Sequence, residues 1–360
     1  MRLFLKMVFS VLLLTTYGCV SPLIKAAGDG DITTTQKLIE EGVDVNDPGG
    51  TDGESALIVA SKNGQINIVK TLIQAGADVN LRTKNNDTAL TAAAWKCHPD
   101  IIALLLANGA DPNAQNTVYK STPLSLLAAF CNSTVSTQAL LLKGADTGLR
   151  NRCEDTALIT AAENGYSEMV TILLDSGADV NETGALMQTA LHRAVSNGHM
   201  KTIAILLARG AEVNREVNYR WCTGRFCLAP QLKWTALMIA AAHGHADAVD
   251  LLLDKGADPH ALSNDNQNAL IIAAKNGHAR IVESLFKKGV NPNIVPDDAN
   301  GHPALVSAVI RNYRTTVETL LKNGTDINIK TKDGKTALTL AKINGRNDMQ
   351  KLLEEHGAKE

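Results

Sequence analysis

The chain has 360 residues, 45% of them hydrophobic, which suffices for a continuous core and excludes disorder as its main state. Its 35 basic and 37 acidic side chains leave a formal charge of -2, so no global field draws it to nucleic acid or to an anionic membrane.

At the N-terminus, Arg2 and Lys6 form a positive region, and Met7 to Leu14 an apolar run too short to span a bilayer. That is the arrangement of an export signal, predicted over residues 1–18. The run closes on Thr16-Tyr17-Gly18-Cys19, which resembles the lipobox of bacterial lipoproteins. The resemblance implies cleavage after Gly18 and a lipid anchor on Cys19. With Val20 rather than Asp next, it also implies an outer-membrane protein facing the periplasm. An ordinary cleaved signal without lipid is the alternative reading.

After Cys19 one pattern repeats: a small polar residue, Ala or Pro, then Leu, as in Ser21-Pro22-Leu23, Ser55-Ala56-Leu57 and Thr88-Ala89-Leu90. Further anchors start at residues 122, 156, 189, 235, 268, 303 and 336, with spacings of 33 to 35 except for one of 46. Within a unit, apolar residues spaced by three and four predict two short helices, separated by Asn63-Gly64 in the second copy and closed by Gly76. A second signature follows, seen as Gly76-Ala77-Asp78-Val79-Asn80, whose Asp and Asn are turn formers. No unit can bury its apolar face alone, so the core runs along a stack.

Taken together these units resemble the ankyrin repeat over everything after Cys19, residues 19–360. The resemblance implies an all-α solenoid of about ten helix-turn-helix units with short turn or hairpin tips. Lys120, Glu154, Met187 and Lys233 stand where the family has a tip glycine, so irregular tips are expected there. Because the first anchor follows Cys19 by two residues, a lipidated chain would be a rod held by one end, close to the membrane surface.

Chemistry is harder to find. His98, His199, His245 and His278 each lie ten residues after an anchor and would stack one repeat apart. Packed helices are separated by about 8 to 10 Å, too far for these rings to share a metal held at about 2 Å. No nucleophile motif, phosphate-cradling loop or carboxylate pair stands out, so no enzyme activity, metal, cofactor or small-molecule substrate is expected.

Five cysteines follow Cys19. Cys222 and Cys227 flank a four-residue loop and are expected to form a disulfide in an oxidising compartment, worth about 2 kcal/mol. Cys97 and Cys131 hold equivalent places in neighbouring repeats, where regular stacking would keep them apart. The irregular repeat with Phe130-Cys131 in place of Asn-Gly could bring them, or Cys153, closer.

The ankyrin resemblance also implies that partners are gripped by the tips and by the exposed ends of the first helices. Those positions carry Trp95, Lys96, Tyr119, Phe130, Leu186, Leu232, Trp234 and His243. The 46-residue spacing adds 13 residues, the insertion 215–234, whose Tyr219, Arg220, Trp221, Arg225 and Phe226 make a basic, aromatic finger. Exposed aromatics are common anchors of protein interfaces. The expectation is an envelope lipoprotein that binds a protein partner through its concave face and this finger. The alternative is an immunity-type inhibitor of an exported toxic enzyme, such as a lipase or cell-wall hydrolase.

Overall fold

The computed structural model describes residues 21–50, 52–219, 232–298 and 301–359. Among them, ten helix pairs follow one another: α1 (Pro22–Asp29) with α2 (Ile32–Glu40), α3 (Ala56–Lys62) with α4 (Ile66–Gln74), α5 (Ala89–Trp95) with α6 (Pro99–Ala107), and α7 (Pro123–Phe130) with α8 (Thr134–Leu142). Then come α9 (Ala157–Glu163) with α10 (Ser167–Asp175), α11 (Ala190–Ser196) with α12 (Met200–Ala208), and α13 (Ala236–His243) with α14 (Ala246–Asp254). The last are α15 (Ala269–Lys275) with α16 (Ala279–Lys287), α17 (Ala304–Ile310) with α18 (Arg314–Lys322), and α19 (Ala337–Ile343) with α20 (Asn347–Glu355). The fold is the expected all-α repeat solenoid. No described helix is long and apolar enough to cross a membrane.

The chain falls into two compact units: residues up to Thr160 with Thr171–Ala178, and Ala161–Val170 with Asp179–Glu360. In the first, α1, α3, α5 and α7 stack in order; in the second, α11, α13, α15, α17 and α19 do the same. Each repeat anchor is a helix N-cap. The Ser55, Thr88, Thr122, Thr235 and Thr336 side chains, for example, each accept the N–H three residues on. The alanines that follow, Ala60 and Ala93 in the first unit and Ala194, Ala240, Ala273, Ala308 and Ala341 in the second, are fully buried. Larger side chains there would force the helix layers apart.

Two polar ladders join repeats. Asn80 accepts the Asp111 N–H at 2.8 Å and donates to the Gly109 carbonyl at 3.0 Å. Asn113, Asn181 and Asn214 repeat this pair of bonds one unit on. Asn214 makes them to Gly256 and Asp258, beyond the insertion in sequence, so the ladder links the repeats on either side of it. The histidines form the second ladder. His98 Nε2 donates to the Lys62 carbonyl at 3.1 Å, and His199, His245 and His278 reach the Glu163, Ser196 and Ala242 carbonyls. A Cβ on Gly198 would come within 2.7 Å of the His245 ring of the following repeat, so that place takes glycine for the close approach as well as for its positive φ of 71°. The histidine ladder is therefore structural. Among the described residues no group of three His, Cys, Asp or Glu gathers as a metal site.

Of three tips expected to be irregular, only that of Glu154 is regular, closed from the Asn151 N–H to the Asp155 carbonyl; the tip at Lys120 closes from Asn116 to Ser121, one residue longer, and at Met187 the preceding Leu186 also has a positive φ, 59°. Lys120, Glu154 and Met187 take positive φ of 49°, 63° and 63°, the conformation that Gly53 and Asn86 adopt at the same place. A non-glycine residue there costs about 1–2 kcal/mol, and the bonding within and between tips holds the turn. The fourth, Lys233, lies instead in a strand. Val217–Tyr219 (β1) pairs antiparallel with Leu232–Trp234 (β2), matching Val217 to Trp234 and Asn218 to Lys233.

Candidate functional site

In the first unit each tip is a tight turn closed on itself, as where the Thr83 N–H meets the Asp87 carbonyl at 2.9 Å. Neighbouring tips are joined by single backbone bonds: Lys84 N–H to the Asp52 carbonyl, Thr117 N–H to the Asn85 carbonyl and Arg152 N–H to the Tyr119 carbonyl, at 2.9, 2.8 and 2.8 Å. The tips thus form one wall, facing the C-terminal ends of α3, α5 and α7. Between them lies a groove of about 720 Å³.

Trp95 ends α5, Phe130 ends α7 and Tyr119 lies on the wall, and all three line this groove. They are 45%, 62% and 65% exposed respectively, whereas most other large hydrophobic side chains among the described residues are buried. Lys96 is exposed, and its Nζ sits 4.2 Å from the Trp95 ring centroid. Lys62 pairs with Glu54 at 3.0 Å. Asp87 accepts an N–H from Asn116, and the Arg152 guanidinium donates to the Val118 carbonyl, both at 3.0 Å.

A disulfide holds this region together. Cys97 follows Lys96, Cys131 follows Phe130, and their Cα atoms are 5.6 Å apart. Regular stacking would have kept them apart. α7, however, runs one residue longer than α5, and Cys131 leaves it extended, with φ -147° and ψ 105°. Ser133, eleven rather than ten residues past the anchor, then caps α8. Cys97 meanwhile takes the positive-φ position filled by glycine in most repeats, with φ 60°. The bridge therefore ties together the two helix ends that present Trp95 and Phe130. Cys153 is an exposed free thiol lining the same groove. Sequence reasoning missed the convergence of Arg152 and Cys153 here, because only the tip wall brings that turn beside Tyr119.

In the second unit the insertion rises from a different base. Val217 and Trp234, cross-strand partners, both turn inward and are 2% and 6% exposed. Trp234, expected on the contact face, is thus a core residue. Reading that tip as a turn overlooked the alternation of a strand, which puts Lys233 outside and Trp234 inside. The exposed Leu186 lies in the short 3-10 turn Ala185–Met187, which packs on β1. His243 is half-buried and stacks on His245, ring centroids 5.9 Å apart. Tyr219 and Leu232 are placed by backbone in β1 and β2. Cys19, Arg220, Trp221, Cys222, Arg225, Phe226 and Cys227 lie outside the described residues.

His192 anchors the root of that insertion. It is fully buried on α11; Thr189 Oγ1 lies 2.8 Å from Nδ1, and Nε2 lies 3.1 Å from the Arg215 carbonyl. The Thr189 N–H also points at Nδ1, and the Arg215 carbonyl can only accept, so the bonding fits a neutral ring protonated on Nε2. Burial pushes its pKa down to about 4.

The family model for ankyrin repeats (3 copies) matches residues 23–116, 124–217, 223–296 and 294–360. No curated protein matches the chain. The geometry agrees with the family match: a repeated rigid scaffold with variable side chains on tips and helix ends suits a non-catalytic protein-binding module.

Proposed function

From the premise that this chain belongs to the ankyrin-repeat family, we propose that it is an exported envelope protein, lipid-anchored at Cys19, that grips one protein partner in the groove of its first unit. The observation that carries the binding reading is the convergence of Trp95, Tyr119 and Phe130 on a disulfide-braced groove. Solvent-exposed aromatics on a rigid frame offer contact area at low entropic cost. The export reading is supported by Arg2, Lys6, the apolar Met7 to Leu14 run and Gly18-Cys19. The Cys97–Cys131 disulfide is consistent with it, since such bonds persist in oxidising compartments. The finger between Arg215 and Trp234 supplies a second contact in this reading.

The test is affinity capture from envelope and culture extracts with soluble Cys19→Ser protein, beside the same protein carrying Trp95→Ala, Tyr119→Ala and Phe130→Ala. Anchor residues of this kind cost about 2 kcal/mol or more when truncated. The partner is expected on the unmutated groove and reduced at least tenfold on the triple variant. Equal recovery on both would move the interface away from the groove. A hydrolase with toxic activity as the captured partner would select the inhibitor mechanism.

A further inference from the structure

We propose that the groove of the first unit receives a cationic side chain, an arginine or lysine set among apolar residues of a partner peptide. This rests on the protein-binding reading above and names the chemistry of the partner. The charges in the groove are uneven once internal bonds are counted. Three carboxylates, Asp52, Glu54 and Asp87, face two cations, Lys62 and Arg152. Lys62 is already paired with Glu54 at 3.0 Å, and Arg152 turns its guanidinium to the Val118 carbonyl at the far end, beyond Tyr119. Asp52 is exposed, and Asp87 receives a neutral N–H from Asn116 rather than a cation. Among the residues that line the groove, its end near α3 and α5 therefore holds two carboxylates, Asp52 and Asp87, that the lining cations do not neutralise.

At this end α5 presents the Trp95 ring, and Phe130, at the end of α7, lies one repeat further along the groove. Trp95 and Phe130 stand on consecutive repeats, tied by the disulfide that follows each of them. A cation gains from an aromatic face and from a nearby carboxylate, and a guanidinium uses both at once. In the free protein the chain's own Lys96 Nζ lies 4.2 Å from the Trp95 centroid, so a partner's cation at this ring takes the place of that ammonium. The groove, at about 720 Å³, has room for the apolar neighbours of such a residue against Phe130 and Tyr119. An acidic peptide directed at Arg152 is the opposing case, because that guanidinium is the remaining cation in the groove.

The experiment uses the full mature chain with Cys19→Ser and three fluorescein-labelled nine-residue peptide pools, randomised over apolar residues, with a central Arg, Gln or Glu. Fluorescence anisotropy reads binding. The Arg pool is expected to bind at least tenfold more tightly than the Gln pool. Asp52→Asn with Asp87→Asn should remove that margin while leaving the Gln pool unchanged. The single Asp52→Asn change, on an exposed turn, should remove part of it and serves as the check that does not disturb Asn116. Equal binding of all pools, or tightest binding of the Glu pool, overturns the cation assignment and leaves groove binding standing. Absence of any binding that Phe130→Ala abolishes also overturns it. Partner capture on the triple alanine variant then judges the protein-binding reading separately.

Discussion

Replacing Cys97 and Cys131 together by serine is expected to lower stability by about 3 to 4 kcal/mol, read as the midpoint of urea unfolding. The bridge spans a sequence separation of 34 residues, and closing a loop of that length removes chain entropy from the unfolded state by that amount. The Cα separation of 5.6 Å lies within the range a disulfide takes, so the folded state meets the bond without moving backbone. Reduction of the unmutated protein should shift the midpoint as far as the double variant does. Cys153→Ser should shift it little, because that thiol is free and exposed. Cys97→Gly with Cys131→Ser should recover about 1 kcal/mol, since glycine relieves the positive φ of 60°. Affinity for the partner should fall along with stability, because the bond fixes the helix ends that carry Trp95 and Phe130. A midpoint unchanged by reduction would mean that the two repeats do not depend on the bridge.

Stability should also fall as the solution is acidified, and His192 should account for about 3 kcal/mol of that loss. Its folded pKa is pushed from the ordinary 6.5 to about 4, first by burial. Between these values the unfolded chain binds a proton that the folded one refuses, so unfolding becomes easier as pH drops from 6.5 towards 4. Above pH 6.5 the contribution is flat. Each unit of pKa shift corresponds to about 1.4 kcal/mol, which sets the size of the effect. His192→Thr, the residue that Thr91 provides at the same place in another repeat, should flatten this part of the profile. A wild-type profile with the same slope as the variant would show that His192 takes up its proton in the fold as readily as in the unfolded chain. Because the ring holds the Arg215 carbonyl, acidification should also loosen the base of the insertion before the rest of the second unit, visible as early hydrogen exchange around Val217.

Much of this fold is written in local signals. The anchors are N-caps, and in most of them a small hydroxyl, or the side chain of Asn268, bonds the first turn without help from distant residues; Ser21 and Pro303 make no such side-chain bond. The four histidines could be excluded as metal ligands from helix spacing, but their bonds to the previous repeat's carbonyls required coordinates, since those partners lie about 36 residues away or more. Glu154 misled, because loss of the tip glycine looked like loss of the turn, whereas the stacked tips impose it; the tips of Lys120 and Met187 are irregular as expected, one a residue longer and the other with two consecutive positive φ values. Trp234 misled for a different reason: two three-residue strands separated by a long insertion carry too little pattern to reveal which face is inward.

The site was legible in part. Position within the repeat put Trp95 and Phe130 at exposed helix ends and Tyr119 on a tip, and the structure brings the three into one groove. The disulfide depended on a single extra residue in α7, which changes the exit of Cys131. Equivalent spacing of Cys97 and Cys131 from their anchors, each beside an aromatic helix end, was the available signal. It pointed to proximity only once the regularity of that repeat was given up.

The most direct measurement of the central claim is site-specific photo-crosslinking in the intact cell envelope, with benzoylphenylalanine placed at Tyr119, at Phe130 and, on the outer helix, at Leu142. Leu142 is 86% exposed on α8 and lies outside the groove, so it controls for chance encounter. One protein crosslinked from positions 119 and 130 but not from 142 is the expected result. Crosslinks from 142 alone, or equally from all three positions, would contradict a partner held in this groove.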